Sequence, residues 1–444
     1  MDRRIYEHPL RTFRRGAPLT VEFDGEHYRA FAGEPAAVAL FAAGVDVLSR
    51  SMKYHRPRAL FCLSGHCGAC LVRIDGMPNE RACRTPCSDG QVLKGQNAFP
   101  ASELDLLSAV DWLYPRGLDH HTMMTGSRTI NAVMQKVVGQ LSGLGHLPTP
   151  AGGPGALPEV TGRDVDVVII GAGPAGLAAA RAAAATGART LCLDEQDRAG
   201  GSLLADPRHG EADADARAVR ATDAGAELVS HATALAWCPE EDGGLLAVAT
   251  PGGLWRVTAR RYVYATGGYE TNALFENNDR PGVFAARAVG RLVVRWGVRP
   301  GARVAVVGAG AYPDALAVEL AACGIPLLRV GRDRSERVVA AHGSPVLTAL
   351  DIDSPCGRRR EPCDAVAVWE LPSPASEAPR QHGASVTLVE QKGGFAVDID
   401  DDGRTTAPSV FACGDVTGYL GPDAAARAGE RAGNAAAHEA LGRP

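Results

Sequence analysis

No long basic run occurs anywhere in the 444 residues, and 46 Lys and Arg against 51 Asp and Glu leave a formal net charge of -5. Nothing in that balance argues for a polyanionic partner, so no nucleic-acid surface is expected. An uninterrupted apolar stretch is also missing. The most apolar run, "VDVVIIGAGPAGLAAA", is punctuated by glycine and fits a strand, turn and helix better than a membrane span. The opening "MDRRIYEHPLRTFRRGAPL" carries arginines but no apolar core of a signal peptide, and "TVEFDGEHYRAF" follows it with strand-like alternation. A cytoplasmic location and no membrane association are therefore expected. There is no fixed-period repeat, no nucleophile elbow and no convincing acid–base dyad. The pair His120-His121 is read as packing or capping, because neighbouring residues on a helix point different ways.

Cysteine, by contrast, is plentiful, with eleven in the chain. In a reducing compartment that number points to metal ligation or buried thiols. The stretch "CLSGHCGACLVRIDGMPNERAC" gives C-x4-C-x2-C and then a fourth cysteine, the spacing of a plant-type [2Fe–2S] site. Gly65, Gly68 and Ala69 allow the backbone to approach the sulfides closely. The expected ligands are Cys62, Cys67, Cys70 and Cys83. Zinc is the metal competitor, although its structural sites usually present two close-spaced pairs; a disulfide framework is the other alternative. Cys87 reads as a spare thiol or substitute ligand, and His66 as a solvated loop residue or a shield for the cluster. Cys192 and Cys323 read as core thiols.

Ahead of the cysteines, "LTVEFDGEHYRAF" predicts a hairpin turning at Asp24-Gly25 and "EPAAVALFAAGV" a helix, the order of a β-grasp ferredoxin domain. Two more helices, "ELDLLSAVDWL" and "TINAVMQKVVGQLSGLG", lead to a Pro/Gly-rich linker at 146–163. The fold class expected is α/β: an N-terminal β-grasp [2Fe–2S] domain followed by a Rossmann-like flavoprotein with two dinucleotide-binding domains. The expected boundaries are 1–100 for the cluster domain, 101–163 for a helical connector and linker, 164–296 for the first part of an FAD domain, 297–362 for a second Rossmann-like domain and 363–444 for the rest of the FAD domain.

After the linker, Gly171, Gly173 and Gly176 stand between an apolar strand and an Ala-rich helix, and Glu195 closes the next strand. Such glycines permit the turn, bring the backbone to a pyrophosphate and let helix pack on strand, while the acid would take ribose hydroxyls. Pro174 and Ala175 complete the turn. The fingerprint alone does not separate FAD from NAD. Three later elements favour FAD: Gly200-Gly201 in "AGGSLL", Ala265, Thr266 and Gly267 in "YATGG", and Gly414-Asp415 in "PSVFACGDVTG", where Asp415 would face the ribityl chain.

A second fingerprint has Gly308 and Gly310, but Pro313 stands where the third glycine belongs and Asp314 follows it. A carboxylate in the first helical turn opposes a bound pyrophosphate. No acid closes the next strand, and Arg329, Arg332 and Arg334 would instead meet a 2′-phosphate. An NAD(P) site and a vestigial or repurposed domain are both open readings.

The segments "RSMKYHRPR" (50–58), "ENNDRPGVF" (276–284) and "CGDVTGYLGPDAAARAGERAGNAAA" (413–437) together resemble the α subunit of heterotetrameric sarcosine oxidase and its relatives. Those relatives include subunits of hydrogen cyanide synthase, opine oxidases and dye-linked amino-acid dehydrogenases. The resemblance runs from about residue 17 onward. It implies an α-type redox subunit working beside a separate flavin-containing, amine-oxidising β-type subunit, on a small amine or amino acid. In sarcosine oxidase the α subunit carries a further, folate-linked domain with no counterpart in this sequence, so formaldehyde capture is not expected. Its N-terminal domain typically lacks the cysteines, whereas this one resembles the small iron–sulfur subunit of the cyanide synthase type. The strand opening at Cys363, "CDAVAVWELPSP", departs from the family's Gly-rich pattern. Two rival readings are a self-contained NAD(P)H-dependent reductase feeding an oxygenase or other acceptor, and a non-catalytic scaffold.

Overall fold

The computed structural model describes residues 2–52, 54–106, 127–133, 158–239, 244–331, 333 and 335–443. The chain forms two compact units, Met1–Pro154 with Asn272–Trp369, and Gly155–Thr271 with Glu370–Pro444. No described helix is long and apolar enough to cross a membrane. His120, His121, Arg332, Arg334 and most of the two connector helices lie outside the described residues.

The first unit begins with a five-stranded sheet ordered Glu26–Phe31, Pro18–Phe23, Val92–Lys94, Leu71–Ile74, Met77–Arg81. Its first hairpin turns at Asp24 and Gly25, where φ of 50° and 90° matches the turn geometry that splices two twisted strands. The helix Ala36–Ala43 lies against the sheet with Ala36 to Ala42 all buried. This is the β-grasp arrangement, and the cysteine loop follows it.

The same unit holds a parallel sheet ordered Val283–Ala285, Ala365–Val368, Val304–Val307, Leu327–Val330, with an antiparallel meander of Arg337–Gly343, Leu347–Ser354 and Gly357–Pro362. The second Rossmann domain therefore exceeds the expected 297–362. Val283–Ala285 and Ala365–Val368 pair with each other inside its sheet, so the boundaries sit near 272 and 369. The expected linker is shorter too, because residues 160–163 already belong to the strand Val160–Ile170.

An N-terminal arm ties the two parts of this unit together. Arg3 bonds the Ala42 carbonyl through its backbone and Asp46 through its side chain, and Ile5 N–H donates to the Gly297 carbonyl. Arg4 and Glu34, both buried, pair at 2.9 Å. Removing one member of such a pair strands a buried charge and costs about 3–5 kcal/mol.

The second unit is built on a sheet ordered Glu227–Val229, Thr190–Leu193, Val160–Ile170, Gly253–Tyr264, Leu245–Thr250, Thr233–Cys238, with Val410–Ala412 added alongside Gly253–Tyr264. Val160–Ile170 is buried on both faces at its end, as a central parallel strand must be. Val167 and Ile169 face an alanine-rich helical layer, and Val168 and Ile170 face Leu246, Val257 and Tyr262. The helices Pro174–Ala185 and Pro422–Ala440 form that layer and touch through glycine. A Cβ on Gly429 would lie 2.0 Å from the Ala175 carbonyl oxygen, and one on Gly433 2.3 Å from that of Ala179.

On the opposite face His382 stacks on Trp237 at 4.1 Å between centroids, and its Nδ1 lies 3.0 Å from the Tyr264 hydroxyl. Burial pulls the His382 pKa down from 6.5 to about 4. Between those two values the unfolded chain binds the proton and the folded one resists it, so stability falls as the pH is lowered through that window and levels off below it. We expect the urea midpoint of the native protein to drop more between about pH 7 and about pH 4.5 than that of a His382→Phe variant. Equal drops in the two proteins would show that His382 does not contribute to the acid sensitivity.

Candidate functional site

The first glycine turn forms a cradle whose walls have no room for side chains. Gly171 has φ 103°, and a Cβ there would lie 2.4 Å from the Ala265 carbonyl oxygen. A Cβ on Gly176 would lie 1.8 Å from the oxygen of Gly171 itself. Gly173 differs, with nothing within 4 Å of its missing Cβ, so it faces open space. It precedes the helix Pro174–Ala185, which begins with proline and has no side-chain cap. The first-turn N–H groups therefore lack a capping side chain and suit a pyrophosphate.

Of the other expected residues, Gly200, Gly201 and Gly414 pack against this cradle. Gly201 packs on Gly173, since its Cβ would lie 2.9 Å from the Gly173 Cα, and Gly200 N–H donates to the Ala172 carbonyl. Gly414 approaches Ala175 closely, and Asp415 stands in the short turn Gly414–Thr417, where its Oδ1 accepts from Leu420 N–H at 3.3 Å. Thr266 bonds the Ala375 carbonyl, and Gly267 holds φ 75°. Glu195 is half-buried just past the strand Thr190–Leu193. The residue before it, Asp194, was not anticipated. Its carboxylate accepts from Ala172 N–H at 2.6 Å and from Gln196 N–H at 2.7 Å, fixing the glycine turn to the strand that carries the acid. Its position beside Glu195 was the available signal.

In the first unit the four cysteines lie as two pairs. The Cys67 thiol donates to Cys62, which lowers the Cys62 pKa and raises its own, and a hydrogen bond with Cys70 raises that of Cys83. Backbone N–H groups of Ser64, Ala69 and Gly65 point at Cys62, Cys67 and Cys83 respectively. Among the described residues no three His, Cys, Asp or Glu side chains surround one point, as a mononuclear zinc site would need. Two thiol pairs with converging amides are the donor set of a binuclear iron–sulfur cluster, two sulfurs for each iron. Cys62, Cys70 and Cys83 are buried, and Cys67 and His66 are exposed. Cys87 sits apart, beside Glu34, with burial pushing its thiol up to about 12. Burial likewise raises the Cys192 and Cys323 thiols, as core thiols require.

The cysteine loop is anchored to the second Rossmann sheet. Ala285 N–H donates to the Phe61 carbonyl at 3.0 Å, and Arg291 Nη1 to the Cys62 carbonyl at 3.1 Å. Buried Arg50 bonds the carbonyls of Ser102, His55 and Glu103, and His55 meets Asp105, which braces the segment that leads into the loop.

The second fingerprint repeats the first turn with different contents. Gly308 has φ 109°, and its Cβ would lie 2.5 Å from the Trp369 carbonyl oxygen, so Trp369 stands where Ala265 stands in the first site. Its indole stacks on Tyr312 at 4.6 Å, has the Arg287 guanidinium 5.7 Å from its ring, and brings Nε1 to 3.9 Å from where a Gly310 Cβ would be. Arg329 was expected to meet a 2′-phosphate. It donates instead to Asp314 at 2.8 Å and to the carbonyls of Val306 and Gly308, because the carboxylate beside the turn is its nearest counter-charge.

Comparison with known proteins matches both halves. Residues 16–98 fit the family described as a 2Fe-2S iron-sulfur cluster binding domain, and residues 165–347 the pyridine nucleotide-disulphide oxidoreductases. The sarcosine oxidase α subunit of Rhizobium meliloti is 32% identical over 342 residues, covering 71% of this chain and 34% of the relative. The hydrogen cyanide synthase component HcnA of Pseudomonas aeruginosa is 34% identical over 98 residues, 22% of this chain and 92% of HcnA. The chain belongs to the sarcosine oxidase α-like flavoproteins with a fused [2Fe–2S] domain. It spans about a third of the length of the sarcosine oxidase α subunits it matches. An opine oxidase subunit of Agrobacterium tumefaciens is 26% identical over 61% of this chain and 65% of its own. The crystal structure of L-proline dehydrogenase from P. horikoshii has a TM-score of 0.71 at 21% identity, covering 100% of this chain and 77% of that one, and so shares the fold.

The cofactors of this α-like flavoprotein are FAD and a [2Fe–2S] cluster, and two substitution pairs test where they bind. Gly173→Val should fold with a melting temperature close to that of the flavin-free native chain while losing most of its flavin, because it fills the open side of the cradle. Gly176→Ala should instead destabilise the unit, because its Cβ meets backbone. Full flavin in the Gly173 variant would place the pyrophosphate elsewhere. Iron and sulfide analysis should show the cluster lost in Cys83→Ser and retained in Cys87→Ser; the reverse would make Cys87 the fourth ligand.

Proposed function

We propose that this chain is the α-type redox subunit of a cytoplasmic amine or amino-acid dehydrogenase or oxidase complex, receiving electrons from a separate flavin-containing β-type subunit. Its substrate class would be a small secondary or primary amine of the sarcosine, proline or glycine kind; the relatives are named for sarcosine, opines and hydrogen cyanide. A flavin accepts two electrons together and releases them singly, and a [2Fe–2S] cluster carries one at a time, so the pair suits a relay. In this reading Gly171, Gly173, Gly176 and the first turn of the helix Pro174–Ala185 hold the pyrophosphate and Glu195 the ribose. Asp415 orients the ribityl chain. Cys62 and Cys67 hold one iron, and Cys70 and Cys83 the other. Amides of Ser64, Gly65 and Ala69 stabilise the negative charge on the sulfurs.

The observation that carries the proposal is the Tyr312–Trp369 stack at the second glycine turn, beside an Asp314 already held by Arg329. A reductase that draws hydride from NAD(P)H needs that turn open to a pyrophosphate. Here an aromatic pair lies against it and a carboxylate opposes the phosphate, which supports electrons arriving from a partner protein.

Anaerobic addition of NADPH and then dithionite to one cuvette tests this. We expect no bleaching of the flavin band by NADPH over minutes, bleaching by dithionite, and no oxidation of sarcosine, proline or glycine by the chain alone. Prompt bleaching by NADPH would establish the self-contained reductase instead.

A further inference from the structure

The segments 50–58 and 276–284, which the cofactor sites do not account for, meet in the first unit beside an exposed cluster cysteine. A cleft of about 170 Å³ is lined there by Arg58, Phe61 and Cys67 on one side and by Asn272, Asp279 and Arg280 on the other. A single water needs roughly 10–15 Å³, so the space admits a molecule of several heavy atoms.

The polar groups around it are incompletely paired among the described residues. Arg280 Nη1 donates to the Gly343 carbonyl, but its buried Nε–H has no acceptor there. Asn272 Nδ2 donates to the Asn278 carbonyl at 2.8 Å, which fixes the amide and leaves its buried Oδ1 without a donor. The Arg58 side chain is half-buried and makes no hydrogen bond or ion pair with any described residue. Asp279 is held by Arg56 only at 3.4 Å. Buried donors and acceptors are rarely left unpaired in a folded protein, so their clustering in one cleft calls for a ligand.

The complement of these groups is specific. Two guanidinium groups ask for a carboxylate, which arginine binds through directed N–H donors. An amide oxygen and a carboxylate ask for a donor, and the charge of Asp279 favours an ammonium over a hydroxyl. We propose that this cleft binds a small zwitterionic amino acid, with its carboxylate on Arg58 and Arg280 and its ammonium on Asn272 and Asp279. The site is distinct from the FAD cradle, whose residues all belong to the other unit. It places the ligand against Cys67, so that occupancy would be felt by the cluster.

Calorimetry on the full chain with glycine, acetate and methylamine as probes tests the complement. Glycine should bind saturably, acetate at least about tenfold more weakly, and methylamine not measurably, since each single-ended probe leaves one set of buried groups unpaired. Arg58→Gln, and separately Asn272→Ser, should each weaken glycine by about tenfold or more while keeping the native melting profile and flavin content. Pulsed electron paramagnetic resonance of the reduced cluster with 15N-glycine should show nitrogen coupling that both variants lose. No saturable binding of glycine, equal binding of acetate and glycine, or binding indifferent to both variants would overturn the proposal. The calorimetric result is independent of whether the chain serves an amine-oxidising complex, so the two readings fail separately.

Discussion

The main-chain bond from Ala285 to the Phe61 carbonyl, with Arg291 reaching the Cys62 carbonyl beside it, is the constraint on which the first unit depends. A cluster loop must hold four sulfurs within a few tenths of an ångström while leaving its amides free to face them. It cannot also satisfy its outward carbonyls internally. Here the edge of the second Rossmann sheet and an adjacent arginine take those carbonyls, and the amides of Ser64, Gly65 and Ala69 turn inward to the cysteines. Removing the sheet edge would leave the loop's carbonyls to water and its geometry undetermined.

That constraint gives the second Rossmann sheet a structural role in holding the cysteine loop. The turns at Gly171 and Gly308 have nearly the same φ and press on a carbonyl at nearly the same distance, so the backbone of the two sites is one design. The difference lies in the side chains around the turn. Ala265 leaves the first turn clear, whereas Trp369 in the corresponding place lies beside Gly310 and stacks on Tyr312. The stacked Tyr312 and Trp369 fill the crevice beside this turn with buried aromatic area, which stabilises the sheet that anchors the cysteine loop.

Much of this was legible from residue order alone, and the reasons are local. Cysteine spacing, the Asp24-Gly25 hairpin and the glycine fingerprints are patterns within a few residues, where backbone geometry dictates residue type. What could not be read depends on contacts between distant residues. Trp369 lies some sixty positions from Gly308, and nothing near it in the chain marks it as a neighbour of that turn. The extent of the second sheet is hidden for the same reason. Val283–Ala285 and Ala365–Val368 look like any short apolar strands, and only their pairing with each other assigns them to the second sheet. The Arg329–Asp314 pair is equally hidden, because fifteen positions separate its members.

The glycines at 429 and 433 extend the argument to the flavoprotein unit. They are four apart, so they share one helix face, and each lets a carbonyl of the helix Pro174–Ala185 approach to where a Cβ would stand. That close packing accompanies the approach of the segment carrying Gly414 and Asp415 to Ala175, beside the first glycine turn. Asp415 is thus placed by its own turn, where it accepts from Leu420 N–H, and by the packing that seats that turn on Ala175. A larger residue at either glycine would push the helices apart, directly at Ala175 of the glycine turn for Gly429 and one helical turn further along, at Ala179, for Gly433.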